Sequence, residues 1–157
     1  MQKLKKSKPT GTRFLDKYTN RKKLGRGAFG DVFLVEDDDG KLMALKLIDR
    51  KKVEAKSGED DDMMEYLEGE IECMQSMNEK NIVKLYSYEK DEDYYYMLME
   101  YCDGGDLVNL QATYKNKVFP LEDAIQTMVD VIKGLEQLHK AGYLHRDIKT
   151  QNVLLKN

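Results

Sequence analysis

The feature that most restricts the fold of this chain is a spacing of glycines, Gly25, Gly27 and Gly30, set between two apolar stretches. A G-x-G-x-x-G run that opens a helix belongs to a dinucleotide-binding sheet. Here Val32, Phe33, Leu34 and Val35 follow, and they read as a strand. The residues before the glycines, from Tyr18 to Leu24, read as a strand as well. Asp37-Asp38-Asp39-Gly40 then marks a hairpin turn, and Met43 to Ile48 continue as the partner strand. Glycines without Cβ atoms let a backbone approach an anion and donate its N–H groups, so a strand-turn-strand flap over phosphates fits the run. On these residues alone, a plain glycine-rich hairpin fits equally well. Lys46 adds a constraint. It lies in the apolar strand Met43-Ala44-Leu45-Lys46-Leu47-Ile48, where an unpartnered ammonium is costly, so a carboxylate is expected beside it.

The next segment supplies candidates for that carboxylate. Residues Glu54 to Asp62 read as an acidic loop whose aspartates suit a helix start, by capping and by their charge near the positive end of the helix dipole. Met63, Leu67, Ile71 and Met74 then recur at helical spacing, predicting a helix over about Met63 to Met77. Glu70 borders its apolar face, and spacing alone does not choose between it and Glu65, Glu68 or Glu72. Two further strands are expected, Val83 to about Glu89 and Tyr94 to Met99, joined by the charged turn Asp91-Glu92-Asp93. The three tyrosines Tyr94, Tyr95 and Tyr96 read as sheet filling. Gly104-Gly105 breaks the sheet before a short helix. Pro120 opens a long helix with Ile125, Met128, Val129, Ile132, Leu135 and Leu138 on one side, ending near Lys140 before Ala141-Gly142.

That helix leads into a loop unusually dense in polar chemistry. Between Tyr143-Leu144 and Val153-Leu154-Leu155, the run His145-Arg146-Asp147-Ile148-Lys149-Thr150-Gln151-Asn152 holds an imidazole, a guanidinium, a carboxylate, an ammonium and a carboxamide. Asp147 can accept a proton from a hydroxyl, Lys149 can neutralise a transferring anion, and Asn152 offers a carbonyl oxygen to a hard cation such as magnesium. These are the groups needed to move a phosphoryl group. His145 reads as support for the loop, and His139 as a surface or packing residue.

Composition narrows the classes. With 157 residues, 41% hydrophobic and 35% charged, the chain suits one soluble globule. No apolar run approaches the roughly 18 residues of a membrane span, and no signal peptide is evident, so the expected location is cytoplasmic or nuclear. A net charge of -3 argues against nucleic acid as a partner, and the basic run from Lys3 to Lys8 reads as a solvated tail. Cys73 and Cys102 lack metal-ligand spacing and are expected as reduced thiols.

The loop at Asp147 resembles, residue for residue, the H-R-D-x-x-x-x-N catalytic loop of eukaryotic protein kinases. Lys149 marks the serine/threonine type. Met43-Ala44-Leu45-Lys46 resembles the kinase V-A-I-K strand. Glu70 to Leu85, ending Asn81-Ile82-Val83-Lys84-Leu85, resembles the helix that supplies the glutamate partner of that lysine, together with the strand after it. Glu79 departs from the pattern, standing where many kinases carry a histidine.

The resemblance implies an α+β, protein-kinase-like fold: an antiparallel small-lobe sheet with one helix, a hinge, and a partial, mainly helical large lobe. The boundaries it suggests are a flexible basic arm at 1–16, a small lobe at 17–98, a hinge at 99–105 and a partial large lobe at 106–157. It implies an ATP-dependent protein serine/threonine kinase using magnesium. In that reading Asp147, Lys149, Asn152, Lys46 and Glu70 are catalytic, with Asn152 the metal ligand. Leu24, Gly25, Arg26, Gly27, Ala28, Phe29 and Gly30 form the nucleotide flap. Val32, Ala44, Lys46 and Leu154 join the nucleotide-binding set. Backbone groups of Glu100 and Cys102 would meet adenine, Met99 would border the pocket behind it, and Asp106 would reach the ribose.

The expected partners are a protein substrate with a Ser/Thr hydroxyl and a partner over the exposed large-lobe helix face, with neither nucleic acid nor membrane. The Asp-Phe-Gly segment that supplies a second metal ligand does not follow Asn157. The chain is therefore read as truncated after the catalytic loop, or as part of a longer gene product. The alternative function is a non-catalytic nucleotide- or partner-binding kinase fragment.

Overall fold

The computed structural model of the chain describes residues 13–27, 29–56 and 63–157. These form two compact units. The first runs to Glu72 and includes Leu85–Tyr101, and the second combines Cys73–Lys84 with Cys102–Asn157.

The first unit is built on an antiparallel sheet of six strands: β1 (Arg13–Phe14), β2 (Tyr18–Arg26), β3 (Gly30–Glu36), β4 (Leu42–Asp49), β5 (Leu85–Lys90) and β6 (Tyr94–Glu100). Their order across the sheet is β1-β2-β3-β4-β6-β5. The β3–β4 turn forms where expected. Gly40 takes a left-handed φ of 83°, and Asp37 Oδ1 accepts from the backbone N–H groups of Asp39 and Lys41 at 3.1 and 2.8 Å. Pleating sorts the strand residues onto two faces. Phe33 and Val35 of β3, Met43, Leu45 and Leu47 of β4, and Tyr96 and Leu98 of β6 pack with Phe14 into one buried cluster.

Two helices accompany this sheet, the second only as far as Glu72, since its last residues fall in the second unit. α1 (Arg50–Glu54) starts at Asp49, whose Oδ1 accepts from Lys52 N–H at 3.4 Å, and buries Val53. α2 (Met63–Ser76) buries Leu67 and Ile71, as its apolar spacing predicts. The α1 start is pinned to the β5–β6 turn: Arg50 Nη1 donates to Asp91 O at 2.8 Å, and Asp91 Oδ2 accepts from Tyr96 Oη at 2.8 Å. Burial raises the Tyr96 phenol well above its usual range, and its bond to Asp91 adds to the effect.

The second unit holds β7 (Gly105–Asp106), α3 (Leu107–Thr113), α4 (Leu121–Lys140), a 3₁₀ turn at Thr150–Asn152, and β8 (Leu154–Leu155). Asp106 caps α3 by accepting from Asn109 N–H at 2.7 Å. Pro120 precedes α4. Glu122 and Asp123 lie in its first turn and His139 and Lys140 in its last, which complements the helix dipole at both ends. Gly134 is buried on α4 because the backbone of Asn81 comes close: a Cβ there would lie 2.8 Å from the Asn81 carbonyl oxygen. Leu121, Ile125, Met128 and Ile132 are exposed, each by more than half.

Several boundaries differ from the sequence expectations. The flexible arm was expected to extend to residue 16. Residues 1–12 lie outside the described residues, but Arg13–Phe14 pair with Thr19 and Tyr18, and Phe14 enters the core. The loop expected from Glu54 is preceded by α1, and its residues 57–62 lie outside the described residues. Residues 73–84, expected in the small lobe, belong to the second unit, where Gly134 admits Asn81. Neither Cys73 nor Cys102 is in a disulfide. No helix among the described residues is long and apolar enough to cross a membrane.

Candidate functional site

In the first unit, register decides which side chains share a face. Val32 pairs with Lys46 and Lys46 with Met97, while Leu34 pairs with Ala44 and Ala44 with Met99. Residues directly opposite in an antiparallel pair project to the same side. Val32, Ala44, Lys46 and Met99 therefore share the face opposite the Phe33–Leu45 cluster. On that face Lys46 Nζ lies 3.2 Å from Glu70 Oε1 of α2. Glu68, one of its rivals, is engaged elsewhere, 3.5 Å from Lys90 Nζ and accepting from Tyr95 Oη at 3.4 Å. The expected partner of Lys46 is thus present. Both members of the pair are partly exposed, so the contact orients the amine more than it stabilises the fold.

The glycine run closes as a hairpin. Gly27 N–H donates to Gly30 O at 2.7 Å, and Asp49 N–H donates to Phe29 O at 3.0 Å. Gly30 has to be glycine, since a Cβ would overlap the carbonyl oxygen of Leu47. Lys56 Nζ lies 4.9 Å above the centre of the Phe29 ring. Leu24 is exposed beside a register shift between Lys23 and Gly25, and Ala28 lies outside the described residues. Sequence reasoning passed over Asp31, whose carboxylate faces Lys23 and Arg26 of β2.

In the second unit the loop after α4 is ordered by its own polar groups. Arg146 adopts a left-handed φ of 61°, and Asp147 N–H donates to His145 O at 2.9 Å and to His145 Nδ1 at 3.3 Å. His145 therefore supports the loop. Lys149 Nζ donates to Asp147 Oδ2 at 2.7 Å, and Asn152 Nδ2 donates to both Asp147 O and Asp147 Oδ2 at 2.8 Å. The bond from Lys149, then that from Asn152, hold the Asp147 carboxyl below its ordinary value, so it is charged throughout the physiological range. The end of the loop is tied down by β8, where Gly105 pairs with Leu155 and Asp106 with Leu154, and by Leu107 N–H donating to Val153 O at 3.1 Å.

The remaining candidates divide at the unit boundary. Met99 and Glu100 end β6 in the first unit. Cys102 begins the second, and its carbonyl accepts from Gly105 N–H at 3.4 Å. Asp106 spends Oδ1 on its helix cap. Among the described residues no group of three or more His, Cys, Asp or Glu side chains could hold a metal ion. Asn152 fits a narrower role: its amide nitrogen is committed to Asp147, which leaves a hard carbonyl oxygen to offer.

The model of the protein kinase domain matches residues 18–157. The chain belongs to the protein kinase family. Among its relatives, calcium-dependent protein kinase 4 of Plasmodium berghei is 33% identical over 144 residues, covering 91% of this chain and 26% of the relative. The serine/threonine-protein kinases nrc-2 and cot-1 of Neurospora crassa are 35% and 32% identical, over 85% and 89% of this chain and 21% and 22% of their own lengths. The chain thus spans about a quarter of the length of the curated relatives it matches. Within this kinase-family chain, the six-stranded antiparallel sheet is that of the small lobe.

Proposed function

We propose that this chain carries the nucleotide-holding and phosphoryl-transfer groups of an ATP-dependent protein serine/threonine kinase. The observation that carries this reading is the Asp147 carboxylate, charged and aimed by Lys149 and Asn152 in an H-R-D-x-x-x-x-N loop. In the proposed reaction a Ser or Thr hydroxyl oxygen of a protein bonds to the γ-phosphorus of ATP, the bond from that phosphorus to the β-bridging oxygen breaks, and ADP leaves. Asp147 orients the hydroxyl and receives its proton. The lowered basicity of Asp147 makes orientation its main contribution, with the proton moving late. Lys149 offsets charge on the transferring group, and Lys46, aligned by Glu70, is the cation for the α- and β-phosphates.

Val32, Ala44 and Met99 would line the nucleotide side of the sheet, with Leu24 and the flap from Gly25 to Gly30 over the phosphates. Glu100, Cys102, Asp106 and Leu154 would complete the nucleotide-binding set. Magnesium, when bound, would neutralise phosphate charge, and Asn152 is the residue to ligate it. A cytoplasmic or nuclear location belongs to the same proposal.

The test is transfer of labelled phosphate from ATP to a Ser/Thr peptide. Transfer that Asp147→Ala abolishes supports the reading, and transfer that survives the substitution rejects it. A second reading, a nucleotide- or partner-binding unit without catalysis, draws support from the exposed apolar side of α4, which a partner would cover. It expects thermal stabilisation by Mg-ATP with no turnover.

A further inference from the structure

Three glycines make the flap adaptable and also weak, because Gly25, Gly27 and Gly30 contribute no cross-strand side-chain contact. Cohesion at this end of β2 and β3 has to come from other residues. The final paired residues before the turn are Arg26 and Asp31, and the register shifts between Lys23 and Gly25. Lys23, opposite Phe33, is a diagonal neighbour of Asp31, and the shift sets Arg26 directly opposite it: Asp31 Oδ1 lies 2.7 Å from Lys23 Nζ and 3.7 Å from Arg26 Nε. Asp31 is the least exposed of the three, its side chain 17% accessible against 41% for Lys23 and 66% for Arg26. One carboxylate thus sits beneath two cations of the opposite strand that would otherwise repel each other.

We propose that Asp31 is a positioning residue, a strut whose bridge to Lys23 and Arg26 holds the glycine hairpin in the shape that covers the nucleotide phosphates. The inference rests on the nucleotide-holding role proposed above for the phosphate part of its effect. The strut itself does not depend on that role. Phe29 is anchored separately, through Asp49 N–H and Lys56, so loss of Asp31 loosens the hairpin without detaching its tip.

Amide hydrogen exchange on the 157-residue chain without nucleotide tests the strut. Asp31→Asn is expected to speed exchange across Lys23 to Gly27 by about threefold, the scale of a partly exposed ion pair, with β4 and β6 unchanged. Asp31→Glu, and the charge exchange Lys23→Glu with Asp31→Lys, are expected to restore protection. Unchanged exchange in Asp31→Asn, or no rescue by either variant, overturns the proposal.

Dissociation of Mg-ATP and of adenosine tests the positioning role. Asp31→Asn makes the flap more positive, so electrostatics alone would slow the loss of ATP, whereas a loosened flap speeds it. The expected result is ATP leaving about threefold faster and adenosine leaving as before. Equal or slower loss of ATP overturns the positioning role. If the unmodified chain takes up no Mg-ATP, the nucleotide reading falls, and the exchange experiment still decides the strut.

Discussion

Lys46 and Asp147 are held in place by different means. Lys46 stands on a strand paired along its length with β3 on one side and β6 on the other, and the strand's alternate residues, Met43, Leu45 and Leu47, are buried in the core. Asp147 stands on an exposed loop held by two side chains, a left-handed turn at Arg146 and a two-residue ladder beyond it. The position of the lysine is a consequence of the fold. That of the aspartate depends on a few hydrogen bonds, so single side-chain changes in the loop can displace it, whereas the strand under Lys46 is disturbed only by changes that reach its buried residues.

The largest effect expected from this contrast is on turnover. Asp147→Ala should lower the proposed phosphoryl transfer about a thousandfold while reducing the melting temperature only slightly, measured by peptide labelling beside thermal denaturation. Leu45→Ala, in the fully buried core behind Lys46, should behave in the opposite way. It is expected to cost about 3 kcal/mol of stability in urea unfolding, and whatever activity it loses should follow the unfolded fraction. In the second unit Gly134→Ala sharpens the comparison, because its Cβ would press on the Asn81 carbonyl oxygen. A loss of about 2 kcal/mol is expected, read by the same unfolding curve.

The smallest effect concerns protonation. Asp147 is held below the ordinary 3.8, chiefly by Lys149, so its contribution to stability is present above that value and is lost as pH falls through the lower folded one. Lys149→Met should raise the Asp147 pKa toward 3.8, followed by carboxyl NMR titration.

What the chain disclosed before its structure depended on how local each signal was. The Asp-Gly turn, the apolar strand around Lys46, the α2 spacing and the loop at Asp147 were all legible because each is contained within a short stretch. β1 was not, since two residues give no periodicity and Phe14 and Leu15 are a lone apolar pair in a polar stretch. α1 is a single turn and a half with one buried residue, too short for a helical repeat. The grouping of residues 73–84 with α4 depends on Gly134 meeting Asn81, a contact more than fifty residues apart in sequence. Asp31 was missed because its partners lie on the opposite strand and are visible only once the β2–β3 register, with its shift before Arg26, is known. The choice of Glu70 over Glu68 required the family register, and the geometry beside Lys46 agrees with it.

The proposal turns on a division of labour in which Lys46 of the first unit holds the nucleotide phosphates and Asp147 of the second serves the transfer. Thermal denaturation of Lys46→Ala and Asp147→Ala, with and without Mg-ATP, tests it most directly. Asp147→Ala is expected to keep whatever stabilisation Mg-ATP gives the unmodified chain, and Lys46→Ala to lose most of it. Stabilisation retained in Lys46→Ala and lost in Asp147→Ala would contradict it.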